Sequence, residues 1–435
     1  MDNKVVIVGG GIAGIFSSLV YSAKGYEVVL VEKAKELGGL LRSQELFEKN
    51  LFYDYGTHLL SETGNKQIDD FLFSGLETIS FDYLKVGSYH KGLYNKNGFI
   101  SDENLENREE CLKELLGSEP KDSYNNLEEQ LENTFGHGYT NYLLAPAIEK
   151  FFFTSVKDLE INSQGLFGLS RIIVGDSEQT KELKKQKRFD DILAYHSYKE
   201  GASSRKSMYP KQGGVGSWIK SMQKSLEKAN VQIITEAEIG EINTNGNSIS
   251  GIEINNETHS LSKLVWTIPP FFLMSKVGVK VVTSPPKRLT SSIFHYLVDE
   301  IYLTDLFYFQ CYDPSLKSFR ITLYDNYSKG VEDKYRVSVE VLLETPPDNV
   351  EKLQEEIFQE LVTMSVFSDK AKVIDKTYDI YPNGFPVLTK QFVESSLEQY
   401  QAVMNNFNNV EIYGKGNGRT WFMNDIMHDI YNSTH

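Results

Sequence analysis

Gly9-x-Gly11-x-x-Gly14 is the first stretch of the chain in which residue type and spacing point to chemistry. A short β-branched run, Val5 to Val8, precedes it, and a helical stretch from Ile15 to Lys24 follows. Gly25 then leads into a second apolar run, Val28 to Val31, which ends at Glu32. Strand, glycine turn, helix and strand make one βαβ unit. In such a unit Gly9 permits the tight turn, Gly11 lets a diphosphate approach the backbone, and Gly14 lets helix pack closely on strand. Ile12 and Ala13 complete the turn into the helix, whose N-terminal N–H groups and dipole offer positive charge to an anion. Glu32 lies eighteen residues after Gly14, where a carboxylate accepts from both ribose hydroxyls and repels a 2′-phosphate. The bound nucleotide is therefore FAD or NAD rather than NADP.

The elements that must position this cradle are spread along the chain. Gln179 to Arg205 is dense in charge without a sustained apolar face, so it reads as a solvated helix or mobile loop. Tyr209 to Gly214 forms a turn into an amphipathic helix, Ser217 to Ala229, followed by a strand, Val231 to Thr235, and an apolar run, Leu261 to Ile268. Phe307 to Glu344 alternates and is enriched in Tyr, Phe, Val and Thr, as in an antiparallel sheet. The adjacent phenylalanines 151–153 read as core at a domain junction. Cofactor-type signals at both ends and near residue 210 imply two interleaved domains. The expected fold class is α/β, with a Rossmann-type dinucleotide-binding domain interleaved with an antiparallel-sheet plus helical substrate domain. The boundaries expected are 1–60 with 205–275 and 405–435 for the nucleotide domain, 61–204 for a mainly helical cap, and 276–404 for the sheet.

Composition narrows the function classes. Lys plus Arg total 45 against 60 Asp plus Glu, a formal net charge of −15, which disfavours nonspecific binding of nucleic acid or anionic membranes. Anions must therefore be held by local devices. Cys111 and Cys311 stand far apart, with neither disulfide nor metal-ligand spacing, which suits a reducing cytosol and predicts no metal site. Met1 to Lys4 runs straight into a strand rather than a signal peptide, and no segment reaches the ~18 uninterrupted apolar residues of a membrane span. The reading is a cytoplasmic enzyme.

The residues after Glu32 separate FAD from NAD. Glu32-Lys33-x-x-x-x-Gly38-Gly39-x-x-Arg42-Ser43 resembles the FAD fingerprint of the amine oxidase and protoporphyrinogen oxidase group. A glycine pair in a helix would cost about 2 kcal/mol, so a turn is expected there. The resemblance implies that Lys33, Gly39, Leu40, Leu41 and Arg42 run beside the flavin diphosphate and ribityl chain, and that FAD is the cofactor. Phe52 to Leu60 resembles the loop of UDP-galactopyranose mutases that sets a histidine, here His58, beside the isoalloxazine. Gly138 to Leu159 and Tyr209-Pro210-Lys211-x-Gly213-Gly214 are similar to further segments of those enzymes. Tyr308, Phe319-Arg320-Ile321-Thr322 and Asn326-Tyr327-Ser328 resemble the run whose arginine grips the substrate diphosphate.

That resemblance implies a nucleotide sugar as substrate, in surface-polysaccharide synthesis. Reduced flavin would attack the anomeric carbon, UDP would leave, and the sugar would reclose as a furanose without net redox change. Arg320 and Arg171 would supply charge to the diphosphate, because a guanidinium can bond two phosphate oxygens at once. Tyr308 would stack or hydrogen-bond in the same pocket, and His58 would modulate the flavin. Without the motif, Arg320 and Arg171 would each be an ordinary surface ion pair. The closing segment departs from the mutase pattern: Gly414-Lys415-Gly416-Asn417-Gly418-Arg419 offers Lys415 or Arg419 where an arginine is usual, with Asn424 and Asp425 following. Gly414, Lys415, Asn424 and Asp425 are expected at the cofactor. The alternative is a net oxidoreductase of amine oxidase or desaturase type, and a flavin-binding protein without catalysis is a third class. External NAD(P)H is a candidate reductant, though the chain shows no second nucleotide fingerprint.

Overall fold

A computed structural model describes residues 3–202, 204–280 and 286–434. β1 (Lys4–Val8), α1 (Ile12–Ala23) and β2 (Glu27–Val31) form the expected βαβ unit. Their strands belong to a five-stranded parallel sheet in the order Gln232–Ile234, β2, β1, Lys263–Trp266, Val410–Ile412. Val5 to Val8 and Val28 to Val31 are all buried, because both faces of a parallel sheet are covered. α1 and the helices Gly216–Lys228 and Met423–Thr434 share the core on one face. A three-stranded meander spanning 239–260 and the helix Pro270–Val277 contribute to the core on the other. The chain thus re-enters this sheet three times after leaving it, with the second sheet assembled mostly between visits.

That second sheet has seven strands, in the order Val373–Pro386, Arg288–Val298, Tyr335–Leu343, Ser318–Leu323, Tyr308–Cys311, Val86–His90, Leu93–Asn95. Neighbours run antiparallel except Tyr308–Cys311 with Val86–His90, which pair in parallel. Alternation divides its faces. Phe294, Tyr296, Phe309, Ile321, Val337, Val339 and Val341 pack with Leu353, Ile357 and Leu361 of the helix Val350–Thr363. By the same two-residue period, Tyr308, Gln310, Arg320, Thr322, Ser338, Glu340 and His295 fall on the opposite face. The segment from Arg42 to His58 lies against that polar face and joins it to the nucleotide cradle.

A helical region completes the protein. Arg108–Gly117, Leu127–Tyr139 and Ala145–Phe152 contribute to one core, which includes Phe151 and Phe152, whereas Phe153 takes a left-handed conformation and is partly exposed. The charged 179–205 stretch is more ordered than its composition suggests. It contains most of the helix Ser177–Leu183 and all of Lys187–Ile192, with Phe189 and Leu193 entering the core. Buried Lys184 closes the turn between them by donating to Leu193 O (2.8 Å) and pairing with Asp190 (2.8 Å). A lysine that reads as surface charge in sequence is here a structural donor.

Gly14 is the tightest point of the nucleotide fold. A Cβ at this position would lie 1.8 Å from the Gly9 carbonyl oxygen, so α1 cannot keep its place on β1 with any side chain there. Gly14→Ala is expected to lower stability by roughly 1–3 kcal/mol, as overpacking does, and to impair cofactor retention. Thermal unfolding of the variant and its bound flavin absorbance check this.

Candidate functional site

The glycine loop has the shape a diphosphate requires. Gly9 has φ +106°, and a side chain there would strike Thr267 Oγ1 at 2.3 Å, whereas a Cβ on Gly11 would meet nothing within 4 Å. The open side of the loop is thus the side where Gly11 faces outward. Gly11 caps α1 without a side-chain hydrogen bond, and no acidic residue occupies the first turn, so the N–H groups around Ile12 and Ala13 are available to an anion. Glu32 accepts from the N–H of Gly10 (2.6 Å) and of Ala34 (2.7 Å), which fixes its carboxylate at the end of β2. Beside it, a cavity of about 700 Å³ is lined by Gly9, Glu32, Lys33, Ala237, Trp266 and Ile268 among others. That volume suits an adenosine moiety.

The second loop closes over the first. Gly38 and Gly39 both take positive φ (+115° and +60°), and Gly38 donates to Gly10 O at 2.8 Å. The expected turn is thus present and rests directly on the cradle. Leu40 is exposed and Leu41 buried, so the two leucines face opposite ways. Arg42 donates to Gly39 O (2.7 Å), and its guanidinium lies 5.0 Å over the Tyr55 ring. Gly414 places its Cα next to Ala13, with 3.7 Å between a would-be Cβ and the Ala13 Cβ, so the C-terminal segment meets α1 at its start. Lys415 follows, exposed at the surface and, among the described residues, without a carboxylate partner; partial desolvation of its ammonium lowers its pKa. Asn424 and Asp425 lie in the first turn of the helix Met423–Thr434. Open glycine backbone, free helix N–H groups, a ribose-directed carboxylate and an adenosine-sized cavity fit FAD.

The polar sheet face gathers His58, Arg320 and Glu340. Arg320 donates through Nε and Nη2 to the two oxygens of Glu340, both at 2.7 Å, a bidentate pair between cross-strand neighbours. Thr57 adds its backbone N–H (3.0 Å) and hydroxyl (3.1 Å) to the same carboxylate, and its hydroxyl also meets Thr322. Burial opposes the charge on Glu340, yet Arg320 holds the carboxyl below the usual carboxylate range. Burial, reinforced by the Arg320 charge, brings the His58 pKa down from 6.5 to about 4. His58 is therefore a neutral imidazole at physiological pH, with Nε2 3.2 Å from Tyr55 O. Tyr308 is on the same face, paired in register with Thr322, and burial raises its phenol pKa.

Arg171 stands apart from this cluster. It precedes the short strand Ile172–Ile173, is half-buried, and is not brought against Arg320; Asp190 is the carboxylate that feels its charge. Three features escaped the sequence reading. Glu340 is hidden because its partner lies twenty residues away, although a carboxylate between Val339 and Val341 in an alternating strand was a signal. Asp54 was read as part of the His58 loop, but it is fully buried and accepts from Ser43 Oγ (2.6 Å), Tyr209 OH (2.7 Å) and Val215 N–H (3.0 Å). A third group, His295 between Ser338 Oγ (2.7 Å) and Asp379 (3.2 Å), extends the polar face toward Gln44, which donates to Asp379 at 2.6 Å.

Comparison with known proteins agrees with this geometry. Residues 7–73 match the NAD(P)-binding Rossmann-like domain family. The structure superimposes on a reduced UDP-galactopyranose mutase with TM-score 0.73 at 17% identity, covering 95% of this chain and 90% of that one. A protein described as a protoporphyrinogen oxidase from Exiguobacterium sp. 255-15 gives TM-score 0.68 at 13% identity over 99% and 97% of the two chains. The fold is shared with the mutase and with the Exiguobacterium protein over nearly the whole chain. In sequence, the chain is 24% identical to a 4,4'-diapolycopen-4-al dehydrogenase of Metabacillus indicus over 271 residues, 58% of this chain and 53% of that protein. It is also 58% identical to a bilirubin reductase of Mediterraneibacter gnavus, over 38 residues, which is 9% of this chain and 6% of the reductase. The chain therefore spans about half or less of the length of these curated relatives.

The His58 environment makes a pH prediction. A folded-state pKa below the unfolded one contributes stability that is present above pH 6.5 and lost as pH falls through 6.5 toward 4. Chemical denaturation across that window should show a steeper loss in the wild type than in His58→Gln. Equal slopes would mean that the imidazole is not held neutral.

Proposed function

We propose that this protein is an FAD-dependent enzyme of the mutase-like branch, acting on a nucleotide-activated sugar in surface-polysaccharide synthesis. Its nucleotide domain in this reading comprises 1–60 with 205–275 and 405–435, and the two buried free cysteines suit a reducing cytosol. The observation that carries the reading is the shared placement of Tyr308, Arg320 and neutral His58 on one sheet face beside the cradle. FAD, when bound, would supply the reacting centre for electron-pair transfer to the substrate. The chain's own groups do the rest. Arg320 keeps Nη1 outside the Glu340 pair, available to a diphosphate oxygen, while Glu340 and Thr57 fix the guanidinium plane. Neutral His58 adds no positive charge beside the cofactor, and Lys415, which follows Gly414 where the C-terminal segment meets α1, would add a cation near the dinucleotide. Gly9, Gly11, Gly14, Glu32, Lys33, Gly39 and Arg42 would hold the dinucleotide.

A second reading, net hydride removal by an amine oxidase- or desaturase-type oxidoreductase, is favoured by one observation. The Glu340 carboxylate offsets the Arg320 charge, so this face is closer to neutral than a site devoted to diphosphate. Sequence similarity to a dehydrogenase over more than half the chain points the same way. External NAD(P)H is a possible reductant in either case.

Anaerobic photoreduction of the flavin-loaded protein followed by UDP-galactopyranose separates the two. The mutase-like reading expects UDP-galactofuranose by chromatography with the flavin remaining reduced. No sugar isomer under these conditions, together with oxygen uptake and an oxidised organic product when the oxidised protein is assayed in air with amine or polyene substrates, would establish the oxidoreductase. In the mutase-like case Arg320→Ala should raise KM about tenfold or more, the worth of one charge-assisted hydrogen bond, with the flavin spectrum intact.

A further inference from the structure

The cavity beside Glu32 presents one solvent-facing aromatic ring. Among the described residues that line it, only Trp266 and Phe272 are aromatic. Trp266 is fully buried, and its indole N–H is committed to Pro269 O at 3.2 Å. Phe272 is 52% exposed, so it is the ring that a ligand in the cavity would meet. Short links hold it there. Thr267 donates both its backbone N–H and its hydroxyl to Val8 O at 2.9 Å, which ties the strand end before the helix Pro270–Val277 to the start of the glycine turn. Leu273 and Met274 bury that helix in the core beneath the parallel sheet. Lys276, one turn beyond Phe272 on the same helix face, also lines the cavity and donates to Gly240 O at 2.9 Å. The cavity-lining face of the helix is thus fixed at both ends, to the cradle and to the three-stranded meander.

Phe271 provides the comparison. It is 51% exposed and meets Phe272 edge-on, with ring centroids 6.0 Å apart and 71° between planes, but it lies outside the cavity wall. The two rings thus leave similar shares of apolar surface in water, and only one of them leaves it where a ligand would cover it. A phosphate or a ribose gains little from a phenyl face, whereas a purine is flat and stacks on one. We infer that Phe272 is the adenine-stacking ring of the cofactor site, covering the base of FAD while Glu32 takes the ribose. This rests on the FAD reading of the cradle and is independent of the choice between mutase and oxidoreductase chemistry.

The test titrates the 435-residue chain, freed of flavin, with FAD and with ADP, comparing the wild type with Phe272→Ala, Phe272→Trp and Phe271→Ala. Phe272→Ala is expected to bind both ligands about tenfold or more weakly, the effect of removing one base-stacking ring. Phe272→Trp should restore both affinities, because an indole face stacks as well as a phenyl one. Phe271→Ala should bind both as the wild type does. The melting temperature without ligand should stay level in Phe272→Ala, since the ring is half in water and fills no core. Unchanged ADP affinity in Phe272→Ala overturns the inference while leaving the FAD reading standing. An equal loss in Phe271→Ala, or a lowered melting temperature with no rescue by tryptophan, also overturns it, because the effect would then come from the helix rather than from stacking. If the wild type binds neither FAD nor ADP, the FAD reading itself falls and takes the inference with it.

Discussion

The buried carboxylate of Asp54 is the contact on which the two halves of the protein depend. Ser43, which donates to it, ends the loop that rests on the glycine cradle. Val215, which also donates, stands at the start of the helix Gly216–Lys228 under the parallel sheet. Tyr209 comes from a strand between the sheets, and the Asp54 backbone N–H reaches Tyr324 OH at 3.0 Å, just beyond a strand of the seven-stranded sheet. Among the described residues no cation is in contact with the carboxylate, so its three hydrogen bonds, helped by the nearby Arg336 charge, must compensate for its burial. Burial raises its pKa to about 6 against the pull of those bonds. The raised value means that ionisation of Asp54 costs stability as pH rises from about 4 to 6, a cost limited by the three donors. The geometry repays it, since His58 lies four residues further along the segment that Asp54 pins.

The seven-stranded sheet turns this fixed segment into a site. Its apolar face is packed against a helix, so its register cannot slip without exposing the core, and the opposite face inherits that rigidity. Arg320 and Glu340 are therefore held as cross-strand neighbours by the packing of Ile321, Val339 and Val341 on the other side. Thr57 ties the pair to the segment pinned by Asp54, and the Arg320 charge helps keep His58 neutral. The electrostatics of the face are a coupled set. Removing Glu340 would alter Arg320 and His58 together, which is why the balance of charge on this face bears on the choice between a diphosphate substrate and a neutral one.

The nucleotide half was legible because it is local. Gly9, Gly11, Gly14 and Glu32 lie within one βαβ unit, and the second glycine pair follows at once. Backbone conformation and helix polarity within a short stretch dictate their types. The sheet half was legible as alternation, and the resemblance singled out Tyr308 and Arg320, but that they share a face follows only from the register of their strands. What could not be read were pairings across strands. Glu340 meets Arg320, and Asp379 meets His295 and Gln44, only once register is set by long-range packing. Lys184 shows the same limit in a charged stretch, where a turn between two short helices makes one lysine a buried donor while its neighbours remain solvated.

Division of labour follows from this difference in origin. The cradle is specified by backbone constraints that leave little room for variation: Gly14 has no space for a methyl group, and Gly9 would collide with Thr267. On the sheet face, alternation and packing on the hidden side set which way side chains point, and Gln310, Arg320, Ser338 and Glu340 stand opposite that packed side, Ser338 and Glu340 further tied by hydrogen bonds to Tyr324 and Thr57. Cofactor choice is thus bound to the backbone of the cradle, whereas substrate choice falls to the side chains of the polar sheet face. The same architecture is found in a mutase and in a protein described as an oxidase, so the fold by itself does not fix the chemistry, and the charge and hydrogen-bonding capacity of this face must.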